Sequence, residues 1–143
     1  MPTLLDPIKI GSLHLKNRIV MPPMATGLAT AEGEVTQELI RHYVRHAKDL
    51  GLLIVEHSYV ERRGTLSPGL TRLTERVHAL GAPIAIQISH AGRVTTSEIC
   101  GAQPMAPSPV PHSDEHEIPR ALSKREIETL VEAVETLMNV SDK

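Results

Sequence analysis

Between Ile19 and Ile88 the apolar residues change period repeatedly, and that alternation restricts the chain to a small set of folds. Ile19-Val20-Met21 is a short apolar run stopped by Pro22-Pro23, which can neither donate to a strand ladder nor continue a helix. From Thr36 the spacing becomes helical. Leu39, Ile40, Tyr43, Val44, Ala47 and Leu50 fall on one face, with Thr36 as N-cap and Gly51 past the end. Leu52 to Val55 then runs apolar without a break, as a buried parallel strand does. Leu70, Leu73, Val77 and Leu80 restore the helical period up to Gly81, and Pro83 to Ile88 reads as another strand, apolar on both faces. Strands alternating with helices across short turns are βαβ units of a parallel sheet, so the fold class expected is α/β.

Other elements flank this core. Ile8-Lys9-Ile10 and Leu13-His14-Leu15 alternate around Gly11-Ser12 as a β-hairpin. A loop from Gln103 to Pro119 carries Pro104, Pro107, Pro109, Pro111 and Pro119. Ser123-Lys124-Arg125-Glu126 is a capping box that opens a last helix, with Ile127, Leu130, Val131, Val134, Leu137 and Met138 on one stripe. The chain has 143 residues, enough for one domain with a core, and it contains no Phe or Trp. With Tyr43 and Tyr59 its two aromatic residues, the core must be built from Leu, Ile, Val, Met and Ala.

Composition excludes several classes of function. A net charge of −2 and two aromatic residues offer nucleic acid neither a basic face nor a stacking platform. No apolar stretch reaches the length of a membrane span, and the first ten residues carry Asp6 and Lys9 rather than a leader's apolar core. The single Cys100 allows no internal disulfide, which fits a reducing, cytoplasmic location. It has no cysteine partner and no argued base, so it reads as incidental. His42/His46 and His112/His116 repeat at four-residue spacing without the glutamate of a zinc-protease helix, and the first pair reads as solvated surface. His57, His90 and Gln87 follow or end strands near one rim, but a fourth metal ligand is lacking and no metal is assigned.

Two strand ends remain. Pro22-Pro23-Met24-Ala25-Thr26 reads either as a plain strand-to-loop turn with a buried methionine, or as small residues bringing backbone and Thr26 to a ring-shaped ligand. No glycine-rich phosphate fingerprint follows the first strand, which argues against a nucleotide held on a helix start. Gln87 lies in the otherwise apolar Ile84-Ala85-Ile86-Gln87-Ile88. As a buried amide it needs partners, either neighbouring backbone or a ligand edge that both donates and accepts, as a flavin pyrimidine does.

At these residues the chain resembles the old yellow enzyme family of FMN-dependent oxidoreductases. The likeness is greatest to the branch with 2,4-dienoyl-CoA reductases and NADH:flavin oxidoreductases. The resemblance is carried by Pro7-Ile8-Lys9-Ile10-Gly11, Lys16-Asn17-Arg18-Ile19-Val20-Met21-Pro22-Pro23-Met24, Gly51-Leu52-Leu53-Ile54-Val55-Glu56, Ile86-Gln87-Ile88-Ser89-His90-Ala91-Gly92-Arg93 and Pro107-Ser108. It implies a (β/α)8 barrel floored by the hairpin, with FMN at the mouth and NAD(P)H as reductant of an activated alkene or similar small-molecule acceptor. Pro23, Met24, Ala25 and Thr26 match the segment beside the isoalloxazine, and Gln87 matches the glutamine that bonds its pyrimidine edge. His57 stands where relatives that contact flavin commonly carry Ala or Gly.

The chain also departs from the family. A (β/α)8 barrel takes about 250 residues, and roughly three βα units are present here. The His-x-x-His/Asn motif that holds the substrate carbonyl is not found, nor are the arginine behind the flavin and the late phosphate site. Gly27 replaces a tyrosine of some relatives, and the connection from Gly64 to Leu70 is short. Asn139 to Lys143 does not continue the family pattern. The expectation is a single incomplete barrel domain spanning 1–143, with weak or absent flavin binding and turnover unless copies join into homo-oligomers through open barrel edges. The competing expectation is a non-catalytic half-barrel remnant or interaction module.

Overall fold

A computed structural model describes residues 1–59 and 68–140. The Glu61-Arg62-Arg63 charge run, most of the Gly64-to-Leu70 connection and the Ser141-Asp142-Lys143 tail lie outside the described residues. The architecture is mixed α/β, and it divides into two compact units: residues 1–58 with 65–88, and residues 59–64 with 89–143.

The first unit opens on the hairpin of β1 (Ile8–Ile10) and β2 (Leu13–Leu15), paired antiparallel with Ile8 opposite Leu15. Gly11 takes the tight turn at φ 58°, a conformation that costs a side-chain-bearing residue about 1–2 kcal/mol. β3 (Val20–Met21) then pairs in parallel with β4 (Leu52–Tyr59), and the sheet order is β3-β4-β5, with β5 spanning Ile84–Ser89. Two helices, α1 (Gln37–Ala47) and α2 (Pro68–His78), alternate with these strands, as the changing period predicts.

α1 begins where expected. The Thr36 hydroxyl accepts the Leu39 N–H at 3.1 Å, while Glu38 in the first turn and Arg45 and His46 in the last complement the helix dipole. Its face of Leu39, Ile40, Tyr43 and Ala47 packs with Leu53 and Val55 of β4, and with Leu73 and Val77 of α2, to form the core. Each of the larger apolar side chains so buried contributes about 1.5–3 kcal/mol. Gly51 serves packing rather than the helix end, which comes earlier at Lys48. A Cβ at position 51 would lie 2.3 Å from the Asn17 carbonyl oxygen. Asn17, buried in this approach, gives its amide to Asp49 O at 2.9 Å and accepts the Ile19 N–H at 3.0 Å.

Strands β4 and β5 are not buried on both faces. Leu53 and Val55 are buried, whereas Leu52 and Ile54 are only partly so, and Ile84 and Ile86 pack on the core while Ala85 and Gln87 are exposed. Helices cover one face of this sheet. An apolar run cannot reveal that, because coverage is decided by elements distant in sequence.

In the second unit a 3-10 turn (Gly92–Val94) and the short α3 (Ser97–Cys100) precede β6 (Met105–Ala106), which pairs in parallel with β7 (Arg120–Ala121). The proline-rich segment read as a loop is thus closed at both ends by a two-residue ladder. The capping box forms as expected at the start of α4 (Lys124–Val140). Glu126 N donates to Ser123 Oγ at 3.3 Å and Ser123 N to Glu126 Oε2 at 2.8 Å. Ile127 and Val131 on its apolar stripe are exposed within this chain. No helix among the described residues is long and apolar enough to cross a membrane.

Candidate functional site

The residues singled out from the sequence, Pro23, Met24, Ala25, Thr26, His57 and Gln87, all lie in the first unit, at or after the C-terminal portions of β3, β4 and β5. β3 cannot be prolonged past Met21, because Pro22 and Pro23 have no N–H to give the ladder. The chain turns instead, with Met24 N donating to Pro22 O at 3.0 Å. Met24 is 64% exposed, so the turn does not exist to bury a methionine. Ala25 is exposed and Pro23 half-buried, leaving backbone accessible beside short side chains.

A residue absent from that set bonds to the end of the turn. Glu56, on β4, accepts both the backbone N–H of Thr26, through Oε2, and the Thr26 hydroxyl, at 2.7 Å through Oε1. Its own N–H donates to the Tyr43 hydroxyl at 2.9 Å. Tyr43 is 1% exposed, and burial raises its phenol above the ordinary value; the Glu56 N–H bond opposes that shift and the Glu56 charge adds to it. The Thr26 oxygen also accepts the Leu28 N–H at 3.2 Å, and Leu28 O accepts from the capping Thr36 at 2.6 Å. One signal in the sequence pointed to Glu56: a carboxylate closing an apolar strand must find donors or meet a heavy desolvation cost.

Gln87 corrects an expectation. It is exposed, not buried, because the period of two puts it with Ala85 on the face that the helices leave uncovered. Its amide therefore presents a donor and an acceptor to solvent beside the neighbouring strand β4. His57 falls in phase with Leu53 and Val55, on the opposite face of β4 from Glu56, and is half-buried.

The histidine pairs take surface-type contacts. His46 Nδ1 lies 2.7 Å from His42 O, and His116 Nδ1 lies 2.8 Å from the Ser113 hydroxyl. Among the described residues no group of three His, Cys, Asp or Glu could hold a metal. In the second unit a cleft of about 370 Å³ is lined by Ala91, Gly92, Arg93 and Val94 with Ala106, Pro107 and Ser108. This joins two of the sequence segments that carried the resemblance, although they are more than ten residues apart.

Comparison with known proteins bears out that resemblance. A family model described as NADH:flavin oxidoreductase / NADH oxidase matches residues 3–136. An NADH oxidase of Thermoanaerobacter brockii is 43% identical over 146 aligned residues, which cover 92% of this chain and 22% of the relative. An NADPH dehydrogenase of Halalkalibacterium halodurans is 38% identical over 87% of this chain and 40% of its own length. Among solved structures, the old yellow enzyme homologue from Zymomonas mobilis superposes with a TM-score of 0.81 at 30% identity, over 95% of this chain and 44% of that one. The chain thus spans less than half the length of each of these relatives.

Proposed function

The chain belongs to the NADH:flavin oxidoreductase / NADH oxidase family, and from that membership we propose that it forms the opening βα units of a (β/α)8 barrel. In this reading the uncovered sheet face and the turn after β3 are one wall of an FMN site. The observation that carries the reading is the exposed Gln87 amide, on the face that the helices leave bare, in the strand next to the one that clamps Thr26.

The residues present fit an isoalloxazine. Pro23, Met24 and Ala25 offer backbone and a small apolar surface, and Thr26 ends the turn. Gln87 offers the paired donor and acceptor that a pyrimidine edge requires, while His57, in phase with Leu53 and Val55, brings backbone rather than side chain to the wall from β4. When bound, FMN supplies the hydride chemistry, with NAD(P)H as reductant and an activated alkene or similar small molecule as acceptor. The chain's own contribution is to bind and orient the ring system. Substrate holding is assigned to no residue here, and turnover by the 143-residue chain is expected to be weak or absent.

Titration of the purified chain with FMN, followed by flavin fluorescence, tests this proposal. Weak but saturable quenching is expected, weakened several-fold further by Gln87→Ala, with NADH oxidation no faster than free FMN supports. Quenching that is absent, or indifferent to Gln87→Ala, overturns the site. Tight, stoichiometric and reducible flavin on a monomer overturns the incompleteness.

A further inference from the structure

We propose that Glu56 is the positioning residue of the turn at residues 22–26, fixing the backbone that carries Pro23, Met24 and Ala25. The ladder that would ordinarily hold a segment beside β4 is impossible here, since Pro22 and Pro23 lack donors. The one backbone bond within the turn, Met24 N to Pro22 O, is local and ties it to nothing else. The Glu56 carboxylate takes over that role by receiving two donors from a single residue, the Thr26 N–H and O–H. Two bonds to one residue fix orientation as well as distance, and hydrogen bonds to an ionised acceptor are roughly twice as strong as neutral ones.

The clamp is itself anchored. Glu56 N–H donates to Tyr43, which is buried on α1, so the part of β4 that carries the carboxylate is tied to the core. From Thr26 the bonds continue through Leu28 to Thr36 and end on the Leu39 N–H in the first turn of α1. The circuit starts and finishes on one helix. A displacement at Glu56 therefore moves the turn against a fixed frame rather than moving the frame with it.

The clamp rests on the flavin reading only for its purpose, and it can be tested without flavin. Amide hydrogen exchange is measured on the full 143-residue chain for wild type, Glu56→Gln, Thr26→Val and Thr26→Ser. A glutamine presents NH₂ to one of the two Thr26 donors, and valine removes the hydroxyl. Both variants should speed exchange at the amides of Thr26 and Leu28 by about tenfold, the scale of one lost hydrogen bond. Thr26→Ser, which keeps both donors, should restore protection to near wild type, while the α1 amides from Tyr43 to Ala47 keep theirs throughout. If Glu56→Gln unfolds the chain, the Thr26→Val and Thr26→Ser pair still decides, because it alters only the loop side of the contact. Equal exchange in Val and Ser variants, or no protection of Thr26 in wild type, overturns the proposal. Intact protection together with no FMN quenching refutes the flavin reading and leaves the clamp standing.

Discussion

Tyr43 and Glu56 meet at 2.9 Å, the phenol of a buried helix residue accepting a backbone N–H from within β4. Strand β4 is thereby fixed to α1 at the point where its side chains turn from apolar packing to polar contacts. Removing the acceptor with Tyr43→Phe keeps the ring and leaves the N–H without its partner, at a cost of about 1–3 kcal/mol. The midpoint of urea denaturation should fall with an unchanged slope, and a midpoint equal to wild type would assign the bond no net worth.

The same phenol predicts a loss of stability in alkali. Burial, reinforced by the Glu56 charge, holds its pKa above the unfolded value of 10.0. Above that pH the unfolded chain releases the proton first, so stability is full below about pH 10 and declines as pH rises toward the folded pKa. Wild type should lose stability through this window more steeply than Tyr43→Phe, with ultraviolet absorbance of tyrosinate marking the ionisation.

Gly51 is a stricter position than its sequence context suggests. An added Cβ would meet the Asn17 carbonyl at 2.3 Å and its side-chain oxygen at 2.8 Å. A backbone atom cannot step aside, and Asn17 is held by bonds to Asp49 and Ile19. Gly51→Ala should therefore destabilise by about 1–3 kcal/mol, as overpacking does. Thermal unfolding provides the measurement, and Gly51→Ala melting with wild type would disprove the close approach.

What the sequence made legible was local. The Thr36 cap, the Gly11 turn and the Ser123–Glu126 box each consist of a few consecutive residues whose geometry follows from their own chemistry. The resemblance was equally readable, because it lies in strings such as the one from Lys16 to Met24. Gln87 was misjudged because its neighbours Ile86 and Ile88 announce a strand but not which face other elements cover. The β6–β7 ladder was missed since two residues carry no period. The Glu56 clamp joins positions 30 apart, and only the cost of an unsatisfied carboxylate hinted at it.

The contact between Arg120 and Glu126 ties β7 to the start of α4, at 2.6 Å. Glu126 is lowered from 4.5 to about 2, first by the hydrogen bond from Arg120, then by the N–H and hydroxyl of Ser123. A depressed folded pKa means the contribution is present above the unfolded value and is lost as pH falls from about 4.5 to about 2. Solvent reaches both side chains, so salt screens the pair and its share of stability is small. The ionisation itself is the clearer readout. A carbon-detected NMR titration of Glu126 should give a midpoint near 2 in wild type. Arg120→Ala should raise it most of the way to the ordinary carboxylate range, and Ser123→Ala by less. A wild-type midpoint at the ordinary value would mean that neither Arg120 nor Ser123 holds the Glu126 carboxylate, so that β7 and α4 are joined by the chain alone.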